Sequence, residues 1–98
     1  MKRILLVCNA GMSTSLLVTK IQDAAKERDI DVEIWAVPTS EANHNFDKAD
    51  VCLLGPQVRF MKGLYQKQTV IPVDVIDMVA YGKMDGVAVL EHALELVK

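Results

Sequence analysis

The stretch Ile4-Leu5-Leu6-Val7-Cys8-Asn9-Ala10-Gly11-Met12-Ser13-Thr14-Ser15-Leu16-Leu17-Val18 decides the reading of this chain. The run at 3–7 is apolar after its first residue and predicts a central strand covered on both faces. The small residues that follow predict a tight loop. Beyond it, Leu17, Ile21, Ala24 and Ala25 recur at helical spacing, with Lys20, Asp23 and Glu27 on the opposite side. Ser13 or Thr14 is the expected N-cap of that helix. A strand that turns through such a loop into a helix presents a ring of backbone N–H groups, which suits a phosphate-sized anion. The thiol of Cys8 stands at the mouth of that ring. Because a helix N-terminus favours thiolate over thiol, Cys8 is the candidate nucleophile.

Outward from this stretch, apolar strands alternate with helical patterns, which predicts a parallel sheet with right-handed crossovers. A second strand is expected at 32–37, where Glu33 in mid-strand fits an edge, and Pro38 ends it. Residues 39–48 are polar and weakly patterned, a short helix at most. A third strand at 50–54 is central by its apolar run. Gly55-Pro56-Gln57 then opens a helix with proline at its first position, where the missing N–H costs nothing. Val58, Met61, Leu64 and Tyr65 form its inner stripe. A fourth strand at 69–73 contains Pro72 and therefore belongs on an edge. A short helix is expected at 75–80, a break at Tyr81-Gly82-Lys83 and a last helix at 84–97. Two central and two edge strands give the order 2-1-3-4: an α/β, three-layer, four-stranded parallel sheet flanked by helices, with a P-loop after strand 1. Ligands in such sheets bind beyond the strand carboxyl ends, where the order reverses, and Cys8 falls there.

The 98 residues are expected to form one domain, 1–98, and the 51% hydrophobic share is ample for its core. Net charge is −2, and the eleven Lys and Arg are scattered, which excludes a basic face for nucleic acid or anionic lipid. Met1-Lys2-Arg3 and the run after it are too short for a signal peptide, and no run approaches the roughly 18–20 apolar residues of a membrane span. The expectation is a cytoplasmic protein without membrane insertion. No cofactor or metal site is indicated. The two cysteines are not expected to pair. If strands 1 and 3 end together, Cys52 lies about 10 Å below Cys8, beyond the roughly 7 Å Cα limit of a disulfide. Cys52 therefore reads as a buried structural thiol. His44 and His92 stand in no motif and read as ordinary surface or packing residues. Trp35, Met61, Met78 and Met84 read as packing, whereas Met12, on the loop tip, is the methionine expected to meet a partner.

A phosphoryl group on sulfur carries roughly two negative charges and three acceptor oxygens. Asn9, Ala10, Gly11, Met12, Ser13, Thr14 and Ser15 are the candidate cradle, through backbone N–H groups and the three hydroxyls. Gly11 lets the backbone turn and approach closely. Ser13 and Thr14 serve as helix caps on one reading and as phosphate contacts on the other. Five residues separate Cys8 from Thr14, the place where Cys-x5-Arg phosphatases hold the arginine whose fork clamps the phosphate. The layout resembles the low-molecular-weight phosphatases without that arginine, and the loop has no positive side chain. That points to a loop that holds phosphate between partners. The alternatives are a small cysteine-dependent phosphatase, for which only Arg59 and Asp74 or Asp77 are loosely available, and a non-catalytic phosphate-binding module.

The chain resembles the enzyme IIB subunits of the bacterial sugar phosphotransferase system, lactose/cellobiose (chitobiose) type. The resemblance covers essentially its whole length. It rests on the 8–18 stretch, on Leu53-Leu54-Gly55-Pro56-Gln57-Val58, and on Val75-Ile76-Asp77 followed by Tyr81-Gly82-Lys83-Met84-Asp85-Gly86. It implies that Cys8 takes a phosphoryl group from the phosphohistidine of an enzyme IIA. Cys8 then passes it to a sugar, a β-disaccharide such as cellobiose, chitobiose or lactose, bound at the membrane permease IIC. It also places Gln57, Asp77 and Tyr81 at the same sheet edge as possible rim residues.

Overall fold

The computed structural model describes residues 1–9 and 11–97, and of residues 11–14 the backbone alone. Strands β1 (Lys2–Cys8), β2 (Val32–Pro38), β3 (Val51–Leu54) and β4 (Val73–Val75) form one parallel sheet in the expected order, β2-β1-β3-β4. The register sets Leu5 level with Trp35 and Cys52, and Leu53 level with Asp74.

Side chains alternate along each strand and feed two cores. Ile4, Leu6, Cys8, Val51 and Leu53 face helices α1 (Gly11–Glu27), α3 (Met78–Gly82) and α4 (Gly86–Leu96). Leu5, Val7, Cys52 and Leu54 face the opposite layer. That layer is made of two 3-10 turns (Thr39–His44 and Phe46–Lys48), a 3-10 segment (Pro56–Met61) and helix α2 (Lys62–Gln68). Because both faces are covered, β1 from Ile4 onward and all of β3 must be apolar. Fully burying each Leu, Ile or Val there contributes roughly 1.5–3 kcal/mol.

Helix α1 buries Leu17, Ile21, Ala24 and Ala25, as their spacing predicts. It starts at Gly11, so Ser13 and Thr14 stand inside its first turn rather than at its N-cap. It stops where Asp29 takes a left-handed φ of 56°, and the Ile30 N–H donates to the Ala25 carbonyl at 2.9 Å. The start of α4 lies directly on α1: a Cβ on Gly86 would sit 2.4 Å from the Lys20 carbonyl, so only glycine allows this approach.

The fourth strand departs from expectation. It occupies Val73–Val75, not 69–73. The Gln66 side chain explains the shift: its amide nitrogen donates to the Ile71 carbonyl at 2.9 Å and its oxygen accepts from the Val73 N–H at 3.0 Å. Residues 69–72 are thereby held as a turn, with Val70 fully exposed. Pairing to β3 opens with the Cys52 N–H donating to the Pro72 carbonyl. The following helix moves with the strand, to Met78–Gly82, so Tyr81 and Gly82 end that helix instead of breaking the chain. Leu64 and Met78, expected inside, are exposed.

Candidate functional site

Cys8 is the last residue of β1, and α1 begins three residues later. On one side it is level with Pro38. On the other, the Gly55 N–H donates to the Val7 carbonyl at 2.9 Å, which brings Gly55 alongside it. The Cys8 side chain closes the α1/α3/α4 core and is 4% exposed. Its Sγ lies 3.9 Å from the Tyr81 hydroxyl. Gly55 leaves the space that this grouping needs. A Cβ on residue 55 would lie 2.8 Å from Cys8 Sγ, 3.0 Å from Gln57 Oε1 and 3.6 Å from the Tyr81 ring.

Local sequence puts these groups in place. Gly55 is extended (φ −61°, ψ 150°) and Pro56 follows at the first helical position, so the chain turns sharply and carries Gln57 over the strand end, where it is exposed. Asp77 caps α3: its Oδ2 accepts from the Val79 N–H at 3.1 Å and the Ala80 N–H at 3.0 Å. The Tyr81 N–H donates to the Asp77 carbonyl at 2.9 Å, which brings the phenol back over the sheet edge to Cys8.

The structure thus gathers Cys8, Gln57 and Tyr81 around Gly55, while the Asp77 carboxylate is engaged in holding α3. Asn9 is exposed beside Cys8. Ala10 lies outside the described residues. Gly11, Met12, Ser13 and Thr14 form the first turn of α1, and their side chains lie outside the description. Ser15 is exposed, and its carbonyl accepts from the Thr19 hydroxyl at 3.2 Å. Sequence reading gives Gly55 no part in the site, only the opening of a helix with Pro56 and Gln57. The parallel register of β1 and β3, which makes residue 55 the neighbour of Cys8, was the available signal.

The two thiols differ in surroundings. Cys52 is level with Leu5, points to the opposite face of the sheet and is fully buried; both cysteines are free. Burial pushes the Cys52 thiol up to about 12, which keeps it protonated and inert at neutral pH. Groups a phosphatase would recruit are engaged elsewhere. Arg59 donates to the Pro56 carbonyl at 3.0 Å, and Asp74 binds Lys62 at 3.1 Å and His92 at 2.8 Å. Among the described residues no three His, Cys, Asp or Glu side chains gather as a metal site, and no helix is long and apolar enough to cross a membrane. Large apolar side chains stay exposed on elements that start at the Cys8 edge: Leu16 of α1, Phe60 of the 3-10 segment, and Met78 and Val79 of α3.

A family model described as the lactose/cellobiose-specific IIB subunit of the PTS system matches residues 3–92. This chain belongs to that IIB family. It is 50% identical over 100 residues to the oligo-beta-mannoside-specific EIIB component of Bacillus subtilis, covering 99% of this chain and 97% of that one. It is 49% identical over 104 residues to the cellobiose-specific EIIB component of Lactococcus lactis, covering 98% and 96%. Among solved structures, the cellobiose-specific IIB protein of Borrelia burgdorferi superposes with a TM-score of 0.81 at 40% identity, over 98% of this chain and 91% of that one. The lactose-specific IIB domain of Streptococcus pneumoniae superposes with a TM-score of 0.87 over 99% and 98%. At 17% identity the latter likeness speaks for the fold alone. As an IIB component the chain is a phosphotransferase of sugar uptake.

Proposed function

We propose that this IIB chain carries a phosphoryl group on Cys8 between two partners. Loading breaks the N–P bond of a phosphohistidine on enzyme IIA and forms an S–P bond from the Cys8 thiolate. Discharge breaks S–P and forms an O–P bond to a hydroxyl of the sugar held at the IIC permease, on the cytoplasmic side of the membrane. The sugar is a β-disaccharide such as cellobiose, chitobiose or lactose. The observation that carries this reading is the junction of β1 with α1, which sets a thiol at the carboxyl edge of a central strand and opens a 17-residue helix three residues later. The first four N–H groups of such a helix have no partner within it and suit the phosphoryl oxygens. The first turn carries no acidic residue to repel them. The cradle is residues Asn9 to Ser15, with Gln57 and Tyr81 at the rim and Asp77 positioning Tyr81 through α3. The exposed Leu16, Phe60, Met78 and Val79 suit docking of a protein partner around the thiol.

Incubation with a labelled phosphohistidine donor protein tests this against the phosphatase reading. A carrier accumulates cysteine-bound label and releases it only when permease and sugar are added. Steady release of inorganic phosphate without them would make the chain a phosphatase. No covalent label at all would leave only a phosphate-binding module.

A further inference from the structure

Tyr81 meets the nucleophilic atom itself. Its oxygen is 3.9 Å from Cys8 Sγ, within hydrogen-bonding reach of sulfur, and the residue is buried at the sheet edge. Near neutral pH a phenol keeps its proton, since its ordinary pKa is about 10. A thiolate can only accept. With Cys8 ionised, a hydrogen bond along this contact runs from the Tyr81 oxygen to the sulfur. Gly55 is what leaves room for it, because a Cβ there would crowd the sulfur and touch the Tyr81 ring.

We propose that the Tyr81 hydroxyl is a catalytic hydrogen-bond donor to the Cys8 sulfur, stabilising the thiolate that leaves when the phosphoryl group passes to the sugar. This rests on the phosphocarrier reading above. During loading, the N–P pair returns to the imidazole, the thiolate pair forms S–P, and the sulfur gives up its charge and its claim on the phenol proton. During discharge, the sugar oxygen forms the new O–P bond and its proton passes to a base on the permease side or in water. The S–P pair then returns to sulfur, where Tyr81 donates without losing its own proton. The contact is strongest with sulfur as thiolate, so it favours discharge over retention of phosphocysteine.

The test is Tyr81→Phe in the full chain, which keeps the ring and its packing and removes only the hydroxyl. Two readouts are used: the pH dependence of Cys8 alkylation by iodoacetamide, and the rate at which phosphocysteine discharges to sugar on permease-containing vesicles. Loss of one charge-assisted donor should move the alkylation midpoint upward by about half a pH unit or more. It should slow discharge roughly 3–10-fold, while loading from the phosphohistidine donor continues. An unchanged midpoint, or unchanged discharge, in a variant with the parental circular dichroism spectrum overturns the proposal. If Tyr81→Phe does not fold, 3-fluorotyrosine placed at residue 81 gives the opposite sign: a more acidic phenol is a better donor and should lower the midpoint, and no movement overturns the proposal. Alkylation needs no phosphoryl donor, so it reports on Tyr81 even if the parent chain fails to load, the result that would sink the phosphocarrier reading instead.

Discussion

Gly55 faces the Cys8 sulfur across the ends of the two central strands, so closely that a Cβ on residue 55 would fall 2.8 Å from Sγ. Its own backbone is extended, at φ −61° and ψ 150°, a conformation any residue adopts. The need for glycine here is spatial, not conformational.

Gly55→Ala is therefore expected to fold and to fail in function. The methyl group must displace the sulfur or the flexible Gln57 side chain, at a stability cost of about 1–2 kcal/mol. Loading of Cys8 should fall at least about tenfold, as the nucleophile is pushed from its line of attack. Urea denaturation and labelled-donor loading measure the two effects separately. Loading at the parental rate would mean that the sulfur does not need the space.

The two cysteines should separate cleanly. Cys8→Ser is expected to abolish transfer with the fold intact, because serine is a far weaker nucleophile at neutral pH. Cys52→Val should leave transfer untouched and change stability by roughly 1–2 kcal/mol or less. In the parent, a thiol reagent at pH 7 should label Cys8 in the native protein and reach Cys52 only on unfolding, since burial holds that thiol at about 12. Loss of transfer in a folded Cys52 variant would reassign the site.

Asp74 ties the two outer layers together at the β4 edge. It accepts from Lys62 of α2 on one side and from His92 of α4 on the other. Burial alone would raise its carboxyl, but hydrogen bonds from the Val75 N–H, His92 and Lys62 outweigh burial and hold it below the ordinary carboxylate range. A lowered folded pKa adds stability above the unfolded value of about 3.9, and that stability is lost as pH falls through the lower folded value. Asp74→Asn should thus cost about 1 kcal/mol at pH 7, a gap that closes below roughly pH 4. Urea midpoints of parent and variant across this range measure it. A gap that stays constant down to pH 3 would mean that the carboxylate charge is not what matters.

The central strands and α1 were legible because their burial is written in the sequence: continuous apolar runs on β1 and β3, covered on both faces, and helical spacing on Leu17, Ile21, Ala24 and Ala25. The end of the sheet was less so. Val70 and Ile71 have strand-like side chains, but a side chain from α2, Gln66, takes the backbone groups of Ile71 and Val73 and delays pairing. No local pattern announces such a capture. At the candidate site, Cys8 and the loop after it lie in one contiguous stretch, so the role proposed for them could be argued without knowledge of tertiary contacts. Tyr81 could be placed at the correct edge but not on the sulfur, because that contact spans 73 residues and depends on where the Asp77 cap starts a five-residue helix.

Thr14 offers the sharpest test of carrier against phosphatase. Five residues separate it from Cys8, and it stands in the first turn of α1, at the position where Cys-x5-Arg phosphatases hold arginine. On the proposed reading, a loop without a cation would hold phosphate on Cys8 through neutral donors, keeping it bound while adding little to the attack of water. Thr14→Arg should supply a charge-assisted fork that tightens anion binding and stabilises the transition state for hydrolysis. It should also slow transfer to sugar, because the added charge stabilises the phosphorylated state that must be left. The lifetime of phosphocysteine, followed by ³¹P NMR with and without the substitution, should shorten in the variant. If the lifetime is unchanged and transfer proceeds at the parental rate, residue 14 serves the helix and not the phosphoryl group.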